Sequence, residues 1–118
     1  MRYLIRLVAC WAILTATAAQ ADLPMSWIVE HADKQGDEGD LVKIYLAGVV
    51  DGYGWANAKL SNNGEKLLFC QPAKLALQPD QIVSIFMAFA KKWRGDSKAP
   101  AGIIMLLALE ETFPCEPK

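Results

Sequence analysis

Apolar side chains recur at intervals of three and four residues over most of the chain, as in helices that bury one face. The clearest case begins at Pro79 and ends before Gly95. Its apolar face consists of Ile82, Ile85, Phe86, Phe89 and Trp93. Proline at the first helical position and glycine after the last turn are typical helix boundaries. The pattern therefore predicts an amphipathic helix.

A second segment, which follows Pro100, is apolar nearly all round and reads AGIIMLLAL over residues 101–109. A helix without a polar face is buried, and this one is too short to cross a bilayer, which needs about 20 apolar residues. We expect it to be the central element of a helical bundle.

The longest helical segment runs from Leu41 to Leu60, with apolar residues at 41, 44, 45, 48 and 49. It contains glycines at 48, 52 and 54, and each costs a helix about 1 kcal/mol relative to alanine. Gly48 and Gly52 lie on one face and would let another helix approach closely, with a kink at Gly52 to Gly54 as the alternative. Asp51 is expected on the solvent face, although a contact with a partner is also open.

The remaining elements are shorter. A first helix is expected at Trp27–Ala32, followed by an acidic turn at Asp33–Asp40 in which Asp40 caps the long helix. Ser61–Lys66 has the composition of a loop, and a short strand is conceivable at Leu67–Phe69. The chain thus predicts an all-α fold, a small bundle of four to five helices.

The first 21 residues have the three-part pattern of a secretory signal peptide. Arg2 and Arg6 precede an apolar run, and a small-residue triplet ends at Ala21, after which we expect cleavage. The alternative, a lipoprotein cleaved at Cys10, would leave the apolar run on the mature protein, and we disfavour it. The expected localisation is the periplasm, with no membrane association after cleavage.

Residues 22–118 are short enough to form only one domain. The whole chain has 12 basic and 13 acidic side chains, and removal of the two arginines of the leader leaves a net charge of −3. A mildly acidic domain has no basic stripe, which argues against nucleic acid as a partner.

Cys70 and Cys115 are the only cysteines after the leader. In an oxidising compartment a disulfide between them is the favoured interpretation, with free thiols or an intermolecular bond as alternatives. An intramolecular bond would attach the end of the last helix to the centre of the chain.

The sequence offers no set of residues for catalysis, for a metal or for a cofactor. His31 is the single histidine, so neither a Cys-His nucleophile pair nor a zinc site with several histidines can form. Glu110 and Glu111 are adjacent on a helix and point to different faces. We do not expect an enzyme.

Several segments together resemble a known family. The leader, YLAGVVDGYGWA, LFCQP, the helix that begins at Pro79 and the ending LALEETFPC are similar to the periplasmic Rap/Tai immunity proteins. That family protects bacteria against peptidoglycan amidase effectors of type VI secretion systems. The resemblance implies an all-helical fold with a Cys70–Cys115 disulfide, frequent homodimers, and inhibition by covering the active site of an amidase.

Charge and aromatic character indicate candidate residues for binding a partner. Asp37, Glu38 and Asp40 are expected in a mobile loop where they could steer a partner electrostatically, and Tyr53 or Trp55 could provide an aromatic anchor. The alternative for the two aromatic residues is packing inside the domain. The alternative function is that of a periplasmic stress or chaperone-like helical protein without a cognate toxin.

Overall fold

The structure, a computed structural model, describes residues 22–116. Within this range the chain forms four helices: α1 (Met25–His31), α2 (Asp37–Asn62), α3 (Pro79–Lys92) and α4 (Ala101–Thr112). The predicted all-α bundle is therefore confirmed. The expected signal peptide, with Cys10 and the cleavage site after Ala21, lies outside the described residues.

Every helix contacts the three others, and the apolar helix α4 supplies the most buried residues, in agreement with its predicted central place. Its side chains at Ile104, Met105 and Leu109 are fully buried. They meet Phe86 from α3 and Leu46 from α2, which are buried to the same degree. The core therefore forms where the amphipathic helices cover the one helix that has no polar face.

The two ends of the fold are joined by backbone hydrogen bonds. Pro24 and Pro100 form an isolated antiparallel bridge. The amide of Met25 donates to the carbonyl of Ala99 at 2.8 Å, and the amide of Ala101 donates to that of Leu23 at 2.7 Å. These bonds fix the start of α1 against the start of α4.

The helix boundaries differ from the predictions at α1 and α2. Helix α1 begins at Met25, directly after Pro24, two residues before the predicted start. Helix α2 begins at Asp37, and the prediction of a turn that extends to Asp40 is wrong. Gly36 adopts a φ of 89° at the helix start, a conformation that glycine allows at little cost, so the helix can begin one turn earlier.

The glycine predictions for α2 are also corrected. The helix continues through Gly52 and Gly54 to Asn62 as one element. A side chain at Gly48 or Gly52 would meet nothing within 4 Å in the described chain, so the expected close approach of another helix does not occur within this chain. The conceivable strand at Leu67–Phe69 is absent, because Asn57 rather than a neighbouring strand bonds this backbone.

Packing against the backbone of the α1–α2 connection requires a glycine at position 39. It is buried in the first turn of α2, where a Cβ atom would collide with the carbonyl oxygen of Lys34. We expect Gly39→Ala to lower the free energy of unfolding by about 1–3 kcal/mol, because the backbone of the α1–α2 connection has to shift. Urea denaturation of dilute protein measures the change.

The matched control is Gly48→Ala in the same helix. The new methyl group meets no atom there, so the higher helix propensity of alanine should stabilise the protein by about 1 kcal/mol. Equal effects of the two substitutions would show that Gly39 is not sterically constrained.

Candidate partner-binding surface

The three acidic residues predicted to steer a partner lie on the first turn of α2. Asp37, Glu38 and Asp40 are all exposed, and they are part of the helix rather than of a loop. Carboxylates at a helix N-terminus are stabilised by the partial positive charge of its unpaired amides. The result is a negatively charged and fixed edge, which we call the acidic turn.

Two neighbouring basic side chains lie close to one of these carboxylates. The ammonium group of Lys34 lies 3.0 Å from Oε2 of Glu38, and Nε2 of His31 lies 3.7 Å from the same atom. The hydrogen bond from Lys34, followed by the charge of Lys34, lowers the pKa of Glu38. The lowered pKa favours the ionised form of the Glu38 carboxylate.

His31 makes its contacts with residues of the same domain. Its ring stacks on Trp27 with centroids 4.1 Å apart, and Nδ1 donates to the carbonyl of Trp27 at 2.7 Å. The ring thus closes the last turn of α1 and bridges it to Glu38 on α2. This arrangement positions the acidic turn against α1.

A continuous exposed face follows the acidic turn along α2. Its members are spaced three and four residues apart, so they lie on one side of the helix, and all are exposed. They are Leu41, Ile44, Gly48, Asp51, Trp55 and Ala58. We call this set the α2 face.

The α2 face carries two large apolar side chains that are mostly in solvent. Trp55 is 78% exposed and Ile44 is 71% exposed. Asp51 lies between them and is exposed, which confirms its predicted position on the solvent side. Large exposed apolar side chains on one face indicate a surface for another molecule. Of the two predicted aromatic anchors, Trp55 is available to a partner.

Two depressions border the α2 face on the side of α3. A groove of ≈ 560 Å³ lies beside Trp55 and is also lined by Val50, Leu77 and Ile82. A second depression of ≈ 370 Å³ lies beside Ile44, against Pro79. Each large apolar side chain of the α2 face thus stands next to a concave surface.

An ion pair crosses from α2 to the start of α3 at the second depression. Nζ of Lys43 lies 3.0 Å from Oδ1 of Asp80. The hydrogen bond from Lys43 to Asp80, followed by their charge interaction, raises the pKa of Lys43. This exposed pair fixes the orientation of the long lysine side chain on the wall of the depression.

Tyr53 makes an internal contact. It is half-buried, and its hydroxyl donates to the carbonyl of Gly102 on α4 at 2.6 Å. Burial, and secondarily Tyr45, raises the pKa of Tyr53, so the phenol remains protonated and can donate. Because this bond uses the hydroxyl hydrogen, Tyr53 ties α2 to α4 inside the domain.

Asn57 is a residue whose role the sequence pattern did not reveal. Its Nδ2 donates to the carbonyl of Phe69 at 2.9 Å, and its Oδ1 accepts from the amide of Leu68 at 2.8 Å. The two bonds attach the α2–α3 connection to the C-terminal half of α2. Phe69 is thereby held in the core, where it is 3% exposed.

Cys70 and Cys115 form the disulfide that the resemblance implied, with Cα atoms 4.8 Å apart. The amide of Cys70 also donates to the carbonyl of Phe113 at 2.8 Å. The bond therefore joins the α2–α3 connection to the residues that follow α4.

The two adjacent glutamates of α4 have separate surroundings. Glu111 forms an ion pair with Lys92 of α3, whereas Glu110 borders a depression beside Leu67 and Pro114. Residues 22–116 contain no group of three or more His, Cys, Asp or Glu side chains placed to hold a metal ion. None of the helices described is both long and apolar enough to span a membrane.

Comparison with known proteins identifies the family. A family model described as Rap1a immunity proteins matches residues 15–115. No curated protein and no solved structure matches the chain. The matched range includes all four helices, both cysteines of the disulfide, the acidic turn and the α2 face. The chain belongs to the family of Rap1a immunity proteins.

Proposed function

We propose that the protein is exported to the periplasm, where it binds and inhibits a peptidoglycan amidase toxin of a type VI secretion system. The observation that carries this proposal is the match of residues 15–115 to a family of immunity proteins, which implies a toxin as the partner. The amidase and the secretion system rest on the resemblance of the sequence motifs. In this proposal residues 1–21 are a signal peptide that is cleaved after Ala21, and residues 22–118 are one domain.

The charge of the acidic turn fits such a toxin. The stem peptides of peptidoglycan carry free carboxylates, so an amidase cleft that binds them is expected to have a positive potential. Asp37, Glu38 and Asp40 present three exposed carboxylates together on one helical turn. Charges of opposite sign accelerate association and orient the encounter. The acidic turn is therefore our candidate for the part of the protein that approaches the cleft.

A rescue experiment tests this function. The candidate amidase of the same bacterium is directed to the periplasm of a test strain, and lysis is followed with and without this protein. We expect the full chain to prevent lysis and a chain without residues 1–21 to fail, since it would remain in another compartment. Lysis that continues in the presence of the correctly exported protein would contradict the proposal.

The contribution of the acidic turn can be measured with the purified proteins. We expect D37N/D40N to slow association with the amidase by roughly tenfold at low salt and by less at high salt, because screening weakens steering. The control is E65Q/E116Q, which removes two exposed carboxylates away from the turn. Equal rates for the two variants would exclude the acidic turn as the steering element.

A second candidate function is favoured by the exposure of Ile44 and Trp55. A periplasmic stress or chaperone-like protein would also present apolar surface, and would present more of it in acid. Such a protein should unfold partly and bind unfolded clients at about pH 2–3, where carboxylates are protonated. A protein that stays folded and binds no client under these conditions lacks this function.

The proposal also includes self-association, because the resemblance implies homodimers.

A further inference from the structure

The Cys70–Cys115 bond lies in an open cleft at the surface. Cys70 is exposed and Cys115 is half-buried. Two depressions adjoin the bond: one of ≈ 710 Å³ is lined by both cysteines, and one of ≈ 490 Å³ is lined by Cys115. The two depressions also share Lys66 and Leu67, so they form one surface feature, which we call the disulfide cleft. The bond is therefore open to a nucleophile from solvent.

Contacts other than the bond itself place the two cysteines side by side. The amide of Cys70 donates to the carbonyl of Phe113 at 2.8 Å, and Phe113 packs against the core. On the other side of Cys70, Phe69 is buried and its carbonyl accepts from Nδ2 of Asn57 at 2.9 Å. These contacts involve no sulfur atom. A folded domain with two free thiols would therefore keep Cys70 close to Cys115, which follows Phe113 by two residues.

We propose that the Cys70–Cys115 bond is formed and exchanged in the folded domain by a thiol–disulfide oxidoreductase whose reactive cysteine enters the disulfide cleft. The attacking group in such an exchange is a thiolate, and the rate depends on its access to the sulfur atoms. The cleft supplies this access, and the fold holds the two cysteines together. The inference goes beyond the proposed function and does not require a toxin.

Cys70 is the cysteine that the oxidoreductase reaches first, because it is the more exposed of the two. In formation of the bond, the thiolate of Cys70 attacks one sulfur of the oxidoreductase's disulfide. A mixed disulfide forms, and the other sulfur leaves as a thiolate. The thiolate of Cys115 then attacks Sγ of Cys70, which closes the Cys70–Cys115 bond and releases the second sulfur of the oxidoreductase. The domain gives up two electrons and two protons, and the oxidoreductase's disulfide becomes a dithiol. Reduction of the bond follows these steps in reverse.

The charges of the disulfide cleft indicate the kind of partner. Glu65 and Glu116 line the larger depression, Glu110 lines the smaller one, and Lys66 lines both. The cleft thus has three carboxylates and one ammonium group, and a negative potential attracts a reagent of positive charge. We expect the oxidoreductase to carry basic side chains around its reactive cysteine.

Reduction of the folded protein tests whether the bond is exchanged without unfolding. Residues 22–118 are treated with dithiothreitol at a series of urea concentrations below the unfolding transition, and free thiols are counted by alkylation and mass spectrometry. We expect the rate to change less than about twofold per molar urea, because the folded protein reacts. A bond that opened only in the unfolded protein would react at least about fivefold faster per molar urea, in step with the unfolded fraction. That increase would overturn the inference.

Gly39→Ala provides an independent check, because it destabilises the domain at the α1–α2 connection rather than at the disulfide cleft. We expect dithiothreitol to reduce this variant at the same rate as the unchanged protein. Gly48→Ala, in the same helix, is the matched control with the opposite expected effect on stability. Reduction that is about fivefold faster in Gly39→Ala would assign the reaction to the unfolded chain and contradict the inference.

The charge of the cleft is tested with two small thiols. Cysteamine carries an ammonium group, whereas glutathione has a net negative charge. We expect the ratio of their reduction rates to fall about threefold in E65Q/E116Q at low salt, and by less at high salt, because the variant lacks two of the three carboxylates. The control is D37N/D40N, which alters the acidic turn instead. An unchanged ratio in E65Q/E116Q would overturn the preference for a positively charged partner.

The order of folding and oxidation is tested on the reduced protein with glutathione disulfide. We expect the mixed disulfide to convert to the Cys70–Cys115 bond roughly tenfold faster in the folded domain than in protein unfolded by urea, because the fold holds the two thiols together. Acid quenching during the reaction should trap glutathione on Cys70. Equal rates in the two states, or glutathione found only on Cys115, would contradict the inference. None of these measurements uses a toxin, so their failure is distinct from a failure of the rescue experiment.

Discussion

Replacement of Cys70 and Cys115 by serine is expected to lower the free energy of unfolding by about 4 kcal/mol. The disulfide joins positions 45 residues apart, and a cross-link of this span lowers the entropy of the unfolded chain by an amount equivalent to about 4 kcal/mol at 25 °C. Domains of this size have a total stability of about 5–15 kcal/mol. The double variant should therefore keep only a fraction of the stability of the oxidised protein.

Urea denaturation of the oxidised protein, of the same protein with reductant, and of C70S/C115S measures this effect. Reductant should move the oxidised protein to the midpoint of the double variant and leave the double variant itself unchanged. Either single variant should lose as much stability as the double variant, because one serine already breaks the bond. A midpoint that does not respond to reductant would show that the cross-link contributes nothing to stability.

Phe86→Ala is expected to have the second large effect, a loss of about 3–5 kcal/mol. Phe86 is fully buried and lies in the core with residues of all four helices. Its truncation removes apolar surface from the core and leaves a cavity that the rigid neighbouring helices cannot fill completely.

The control for this substitution is Phe89→Ala on the same helix. Phe89 is only partly buried, so its truncation should cost clearly less. Chemical denaturation of both variants provides the comparison, with the slope of the free energy against denaturant used to check that unfolding remains two-state. Equal losses would mean that α3 does not bury Phe86 more completely than Phe89.

Prediction from the sequence was most accurate where the pattern of apolar residues allowed only one way to bury a helix. Helix α3 begins at Pro79 as expected, because proline at the first position and apolar residues on one side leave no other face to bury. Helix α4 begins directly after Pro100 and supplies the largest set of buried residues, although Ile103 on its outer side is 44% exposed. The disulfide followed from the resemblance and is present.

Helix α2 shows the limit of predicting a buried helix face from apolar periodicity. This helix has apolar residues on two faces. The apolar pattern used for the prediction includes Leu41, Ile44 and Gly48, which are exposed. The structure buries Val42 and Leu46 instead. When two faces are nearly equally apolar, periodicity cannot tell which face enters the core of the same chain and which remains for another molecule.

The candidate site was predictable to a similar degree. The acidic residues were expected in a loop and are exposed on the first turn of α2 instead. For Trp55 the sequence left an aromatic anchor and internal packing open, and the side chain is exposed. The internal hydrogen bond of Tyr53 to Gly102 and the role of Asn57 depend on contacts between distant segments. Local sequence spacing contains no information on such contacts.

The backbone bridge between Pro24 and Pro100 has a consequence for the order of folding. Leu23 and Met25, at the start of the first helix, bond to Ala101 and Ala99, which lie more than 70 residues later in the chain. A chain that emerges N-terminus first cannot dock α1 until nearly all of its residues have followed. Contacts of such high sequence separation slow folding. We therefore expect the docking of α1 to be among the last steps in the folding of a nascent chain.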